Sequence, residues 1–154
     1  MTVTNKLITT IKLGIACSLA FSSISHCADY RSIIPLKVIL YDAPSVEASK
    51  LYLLGQGYPV EIIVNLGAWL KVRDAQGGLS WVESKQLSSK KMALVLSKTD
   101  IKIADDVSAS VLATVEKDVL LEVLASSNKA GWVKVKHRDG IVGFVALAAL
   151  WGAN

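Results

Sequence analysis

The sequence predicts an all-β fold: two small five-stranded barrels in tandem. Three observations carry this. The stretch "GAWLKVRD" at residues 67–74 returns as "AGWVKVKH" at residues 130–137, 63 residues on. Short runs alternate apolar and polar residues with period two, as half-buried strands require, and turn residues punctuate them. No long segment carries a helical period. Five short strands are too few for a sandwich, whereas a small barrel would hide their edges.

The first 28 residues stand apart. Lys6 and Lys12 are the only charges before Asp29, and "LITTIKLGIACSLAF" leads into the small polar run "SSISHCA". A basic start, an apolar centre and a small-residue exit describe a secretory signal peptide at residues 1–28, with cleavage after Ala28. The apolar run is too short and too interrupted for a membrane span, so no stable span is expected after cleavage. The alternative is an N-terminal anchor that stays in place. Lipidation at Cys27 is disfavoured by the bulk of His26 beside it. The expected location is exported, either periplasmic or extracellular.

Cleavage would take away Cys17 and Cys27, and with them any disulfide or thiolate. Stability must then come from core packing. It would also leave 15 basic against 13 acidic residues, a net charge of about +2. The remaining Lys and Arg are scattered, whereas nucleic-acid binding needs a concentrated basic face, so no nucleic-acid partner is expected.

The repeat extends well beyond its Trp segment. "VILYDAPS" from Val38 is set against "IKIADDVS" from Ile101, which makes Asp42 the counterpart of Asp105 and Pro44 that of Val107. "VEII" from Val60 matches "LEVL" from Leu121, and Trp81-Val82 matches Phe144-Val145. Blocks in constant order argue a duplicated module of about sixty residues. The copies are placed at 32–87 and 92–150, with a linker at 88–91. Within them, "DAPS", "NLGA" and "DAQGG" mark turns in the first copy, and "ADDVS", "SSNKAG" and "RDG" in the second. Asp139-Gly140 is the strongest hairpin signal. The stretch 83–91 reads as one turn, helical at most, followed by the linker.

These residues resemble the bacterial SH3-like domain family in its tandem, exported form. The resemblance covers nearly all of the chain after residue 28. It rests on the Asp-x-Pro-Ser turn at residues 42–45, the "GAWLKVRD" segment and the closing aromatic-Val pairs. It implies SH3-like barrels acting as a binding or scaffold module, since family members often sit beside cell-wall hydrolases and contact peptidoglycan or its stem peptides. The chain departs from the family where Val38-Ile39-Leu40 and Ile101-Lys102-Ile103 replace a common Asn-Val-Arg. It departs again where Ser80 replaces the Gly that Gly143 supplies in the second copy.

Catalytic equipment is not expected. His137 is the one His after residue 28, at the foot of a hairpin where it should face solvent, and no Cys accompanies it. Structural zinc through Cys and His is set aside with the cysteines, no Gly-rich phosphate loop is present, and no cofactor is expected. Asp42 and Asp105 are read as turn caps rather than as a carboxylate pair across a sugar cleft. Trp81 is read as core and Trp151 as a cap over the open end of the second barrel. Trp69 and Trp132 share a strand face with Lys71, Arg73, Lys134 and Lys136. Those six are the candidate ligand-binding residues, half-open rings beside cations that suit an acidic peptide. The expected function is a non-enzymatic binding module of the cell envelope that contacts peptidoglycan or its peptides. The alternative is a structural or assembly protein that docks another envelope protein.

Overall fold

Period-two burial decides the architecture. In the strand Trp69–Arg73, Leu70 and Val72 are buried while Trp69, Lys71 and Arg73 take the other face. In Leu79–Glu83 the same alternation buries Ser80 and Val82. The computed structural model describes residues 28–127 and 129–153. The signal peptide inferred from sequence lies, except for Ala28, outside the described residues.

The first set of strands is β1 (Tyr30–Ile33), β2 (Lys37–Tyr41), β3 (Lys50–Gly55), β4 (Pro59–Asn65), β5 (Trp69–Arg73), β6 (Leu79–Glu83) and β7 (Leu87–Ser88). The second is β8 (Met92–Val95), β9 (Thr99–Lys102), β10 (Val111–Val115), β11 (Leu120–Ser126), β12 (Trp132–Lys136), β13 (Val142–Ala146) and β14 (Leu150–Trp151). Each set forms one seven-stranded sheet, ordered β3-β2-β6-β5-β4-β1-β7 and β10-β9-β13-β12-β11-β8-β14. The paired strands run antiparallel. A single 3₁₀ turn, Ser84–Gln86 or Leu147–Ala149, precedes the last strand of each sheet.

This corrects the expectation of five-stranded barrels. Each sheet holds seven strands and neither closes, because β3 and β7, and likewise β10 and β14, remain edges. The opening strand and the two-residue closing strand lack an alternating pattern long enough to count from sequence. The core forms without closure because the sheet bends. Register shifts at Leu40/Tyr41 and Ile62/Val64 put bulges in the first sheet, and shifts at Val111/Ala113 and Val123/Ala125 put them in the second. The curvature brings Tyr52 and Leu54 of one edge into the cluster that holds Leu87 of the other, around Leu40, Val60, Leu70, Val72 and Val82. Ile101, Leu121, Val133, Val135, Val145 and Leu150 form the counterpart.

The pairings also correct the alignment of the copies. Tyr41 pairs with Trp81, and Lys102 with Phe144, so Tyr41 corresponds to Lys102. The loop bonds agree. Asp42 N–H donates to Ser49 O (3.1 Å) as Ile103 N–H does to Ser110 O (3.0 Å), and Ala48 N–H donates to Ser45 O as Ala109 N–H does to Asp106 O. Asp42 therefore matches Ile103, and Asp106 matches Ser45, two residues from the register read in the sequence. The Asp of "DAPS" attracted the wrong partner. Asp42 does cap its loop, accepting from Ser49 N–H at 3.0 Å.

The two sheets touch. Tyr30 of β1 and Trp151 of β14 stack edge to face at 5.3 Å, so Trp151 meets the other sheet rather than capping its own. Gly152, at φ 88°, leaves no room for a side chain, since a Cβ there would lie 2.7 Å from Pro59 Cβ and 2.9 Å from Met92 O.

Candidate functional site

The outward faces of β5 and β6 build the first candidate surface. Strand alternation puts Trp69, Lys71 and Arg73 on one side, and pairing sets Lys71 opposite Trp81 and Trp69 opposite Glu83. Lys71 Nζ lies 6.0 Å from the Trp81 ring centroid, the outer limit of a cation–π contact. Tyr41 joins from β2 and meets Trp69 edge to face at 5.5 Å. Trp81 is thus not core. It is half-buried on the outer face, while its neighbours Ser80 and Val82 point inward.

Arg73 is already engaged. Its Nε and Nη2 donate to Glu61 Oε2 at 2.9 and 2.7 Å, across the β4–β5 pairing. The Glu61 side chain is only 13% exposed, so this pair is less screened than a surface ion pair. Tyr30 sits beside it. Burial first, then the Glu61 charge, raises the Tyr30 hydroxyl above its ordinary value, against the opposing pull of Arg73.

The second sheet repeats the surface with changes. Trp132, Lys134 and Lys136 line one face of β12, and Lys134 Nζ lies 5.9 Å from the Phe144 centroid. Where the first sheet has Tyr41, the second has Lys102, whose ammonium donates to the backbone oxygens of Val107 and Ala109. Trp132 therefore lacks the aromatic partner that Trp69 has. Glu122, the cross-strand partner of Lys136, pairs instead with Lys90 at 3.0 Å. Among the described residues, Lys71, Lys134 and Lys136 form no ion pair. The six predicted residues thus fall into two stripes of three, one per sheet. Each stripe has an aromatic ring from the next strand, Trp81 or Phe144, and sequence reading had assigned Trp81 to the core.

Sequence reading missed Tyr41 and Glu61. Tyr41 was readable as the residue in phase with Ile39, on the face opposite Val38 and Leu40. No local pattern links Glu61 to Arg73, which is 12 residues on.

His137 does not face solvent as expected. Its side chain is 14% exposed, and its Nδ1 accepts from Asp139 N–H at 3.3 Å. It holds the turn place that Asp74 holds in the first sheet. Asp74 N–H donates to Gly78 O as His137 N–H does to Ile141 O, and Gly77 N–H donates to Asp74 O as Gly140 N–H does to His137 O. Asp74 is itself 6% exposed and accepts from Tyr52 Oη (2.7 Å), Gln76 N–H (3.0 Å) and Gly78 N–H (2.8 Å). Both residues are accounted for as turn caps. Among the described residues no group of three or more His, Cys, Asp or Glu is placed to hold a metal ion.

Comparisons with known proteins bear on this arrangement. No curated protein matches the sequence. Similar solved structures include NlpC2 from Trichomonas vaginalis, at 16% identity and a TM-score of 0.37, covering 80% of this chain and 48% of that one. NlpC1 from the same organism is 17% identical with a TM-score of 0.39, covering 84% and 47%. An NlpC/P60 family protein from Bacillus cereus is 15% identical with a TM-score of 0.36, covering 79% and 55%. The chain spans about half the length of these proteins. The family model of the bacterial SH3 domain, a non-catalytic module, matches residues 36–89 and again residues 105–152. With more than half its length matched in two successive segments, the chain belongs to the bacterial SH3 domain family.

Proposed function

We propose that this protein is a non-enzymatic binding module of the cell envelope that contacts peptidoglycan or its peptides. The contact runs through two outer stripes, Trp69–Lys71–Arg73 and Trp132–Lys134–Lys136. The observation that carries this reading is the duplication of a partly exposed Trp with a lysine set beside a second ring, on the outer face of both sheets. An aromatic face next to a cation suits a ligand with apolar faces and carboxylates. Two weak sites on one chain raise effective concentration on a repetitive polymer. Export supports the setting, through the signal-peptide pattern of residues 1–28, and the destination is the periplasm or the cell exterior. Among the described residues no helix is long and apolar enough to cross a membrane. Residues 32–87 and 92–150 act as the two modules, with 88–91 as the linker. No cofactor and no nucleic acid take part.

A second reading, docking of another envelope protein, is favoured by one feature. The edge strand β3 leaves Leu51 and Leu53 47% and 56% exposed, beside backbone that no neighbouring strand covers. Co-sedimentation with purified sacculi separates the two. The proposed function expects saturable retention that survives about 0.3 M salt and falls in the Trp69→Ala/Trp132→Ala protein. No retention, with one stoichiometric protein recovered instead, would favour docking.

A further inference from the structure

Both sheets bring the same strands to the junction between them. Tyr30 pairs with Glu61 as Met92 pairs with Glu122, so Met92 holds the place of Tyr30. Ser88 pairs with Ser32 as Trp151 pairs with Leu94, so Ser88 holds the place of Trp151. The sheets meet along this outer side of β1 and β8. Ser32 and Leu94 are buried there, although neither belongs to a hydrophobic core. Met92 Cε and Leu120 Cδ1 of the second sheet each lie 3.5 Å from where a side chain on Gly57 of the first would begin.

The two halves of the junction are filled unequally. In one half the Trp151 indole lies edge to face on Tyr30 at 5.3 Å. In the other half the corresponding pair is Ser88 and Met92, and both line a hollow of about 380 Å³. Ser32, Ile34, Gly57 and Lys90 share in its lining. Serine is smaller than tryptophan by a whole indole, and the hollow lies on the side where that ring is missing. Ile34, on its wall, is left 48% exposed. Apolar side chains beside such a gap forfeit the contacts that a ring would make. Met92 suits an aromatic occupant, because its thioether is polarisable, adapts its shape and contacts ring edges favourably. Lys90 is the one charged residue of the lining, and it is paired with Glu122 at 3.0 Å. The hollow therefore favours a neutral ligand, and its volume falls within the range of small-molecule pockets.

We propose that this hollow binds a neutral, planar aromatic molecule of the size of indole, in the place that Trp151 takes in the other half of the junction. The site is separate from the Trp69 and Trp132 stripes and does not rest on their role.

Titration of the full protein with indole, followed by amide chemical shifts, tests it. The expected result is saturable shifts at residues 32–34, 56–57 and 88–92, half-complete at about 1 mM. Ser88→Trp should fill the hollow from within, abolish those shifts and raise the melting temperature by about 2 °C or more. Met92→Leu keeps an apolar side chain of similar size, so it should leave the melting temperature nearly unchanged and weaken indole binding about threefold through loss of the sulfur contact. The two variants separate recognition from folding, since the second stays informative if the first fails to fold. No saturation by about 10 mM indole, shifts confined to residues 69–81 and 132–144, a folded Ser88→Trp protein that binds indole as the wild type does, or undiminished binding by Met92→Leu would overturn the assignment. The Trp69→Ala/Trp132→Ala protein should bind indole at this hollow as the wild type does, so failure here and failure of the sacculus reading are distinguishable.

Discussion

Asp74→Ala should destabilise the first sheet by about 3 kcal/mol. The Asp74 carboxylate is 6% exposed and accepts three hydrogen bonds: from Tyr52 Oη at 2.7 Å, Gln76 N–H at 3.0 Å and Gly78 N–H at 2.8 Å. Hydrogen bonds to a charged acceptor contribute about 1.5 kcal/mol or more each, giving a gross loss of about 4–5 kcal/mol. Water reaching the freed turn amides, and relief from holding a charge in a nearly closed site, return about 1–2 kcal/mol of that. Tyr52→Phe removes one of the three bonds, and with it the 3.2 Å contact to buried Ser80 Oγ, and should cost about 1.5–2 kcal/mol. Gly78→Ala should approach the full loss, because its methyl carbon would lie 2.6 Å from Asp74 Oδ2 and push the carboxylate out of place. His137→Ala, at the equivalent turn of the second sheet, removes a single 3.3 Å bond and should cost under about 1 kcal/mol. Urea denaturation followed by circular dichroism reads all four. An Asp74→Ala protein within about 1 kcal/mol of wild type at unchanged m-value would refute the reasoning.

Trp151→Ala should cost about 2 kcal/mol through loss of the Tyr30 stack, and should turn one calorimetric transition into two as the sheets uncouple. Trp151→Phe should be nearly neutral, since it keeps a ring and removes an indole N–H that is buried without an acceptor among the described residues. The Asp106 carboxyl is held below the usual carboxylate range by the Lys129 ammonium, with Ser108 N–H and Oγ also donating to it. Its contribution is therefore fully present above the unfolded value and lost as pH falls. The stability lead of wild type over Asp106→Asn should be constant above about pH 5 and shrink below about pH 4.

Much of the fold was legible because alternation and duplication are local signals. The strands around Trp69 and Trp132 announce themselves by period, and the repeat orders them. Closure was not legible. Whether a curled sheet joins its edges depends on bulges such as Ile62/Val64, which leave no mark in composition. The two-residue strands Leu87–Ser88 and Leu150–Trp151 are too short for a period. At the candidate surface, grouping Trp69, Lys71 and Arg73 needed only alternation, and likewise Trp132, Lys134 and Lys136. The burial of Trp81 was misjudged because an aromatic next to a core Val looks like core, yet period two sends it to the opposite face. Glu61 and Tyr41 reach their partners through cross-strand register, which a single sequence does not encode locally.

The central claim, that the two Trp–Lys–basic stripes bind peptidoglycan or its peptides, is tested most directly by sacculus co-sedimentation of wild type against Trp69→Ala/Trp132→Ala at about 0.3 M salt. The account predicts saturable retention of wild type and at least a tenfold weaker retention of the variant, about 1.4 kcal/mol, with superimposable circular dichroism spectra. Equal retention of a folded variant, or wild-type retention that vanishes at that salt, would contradict it.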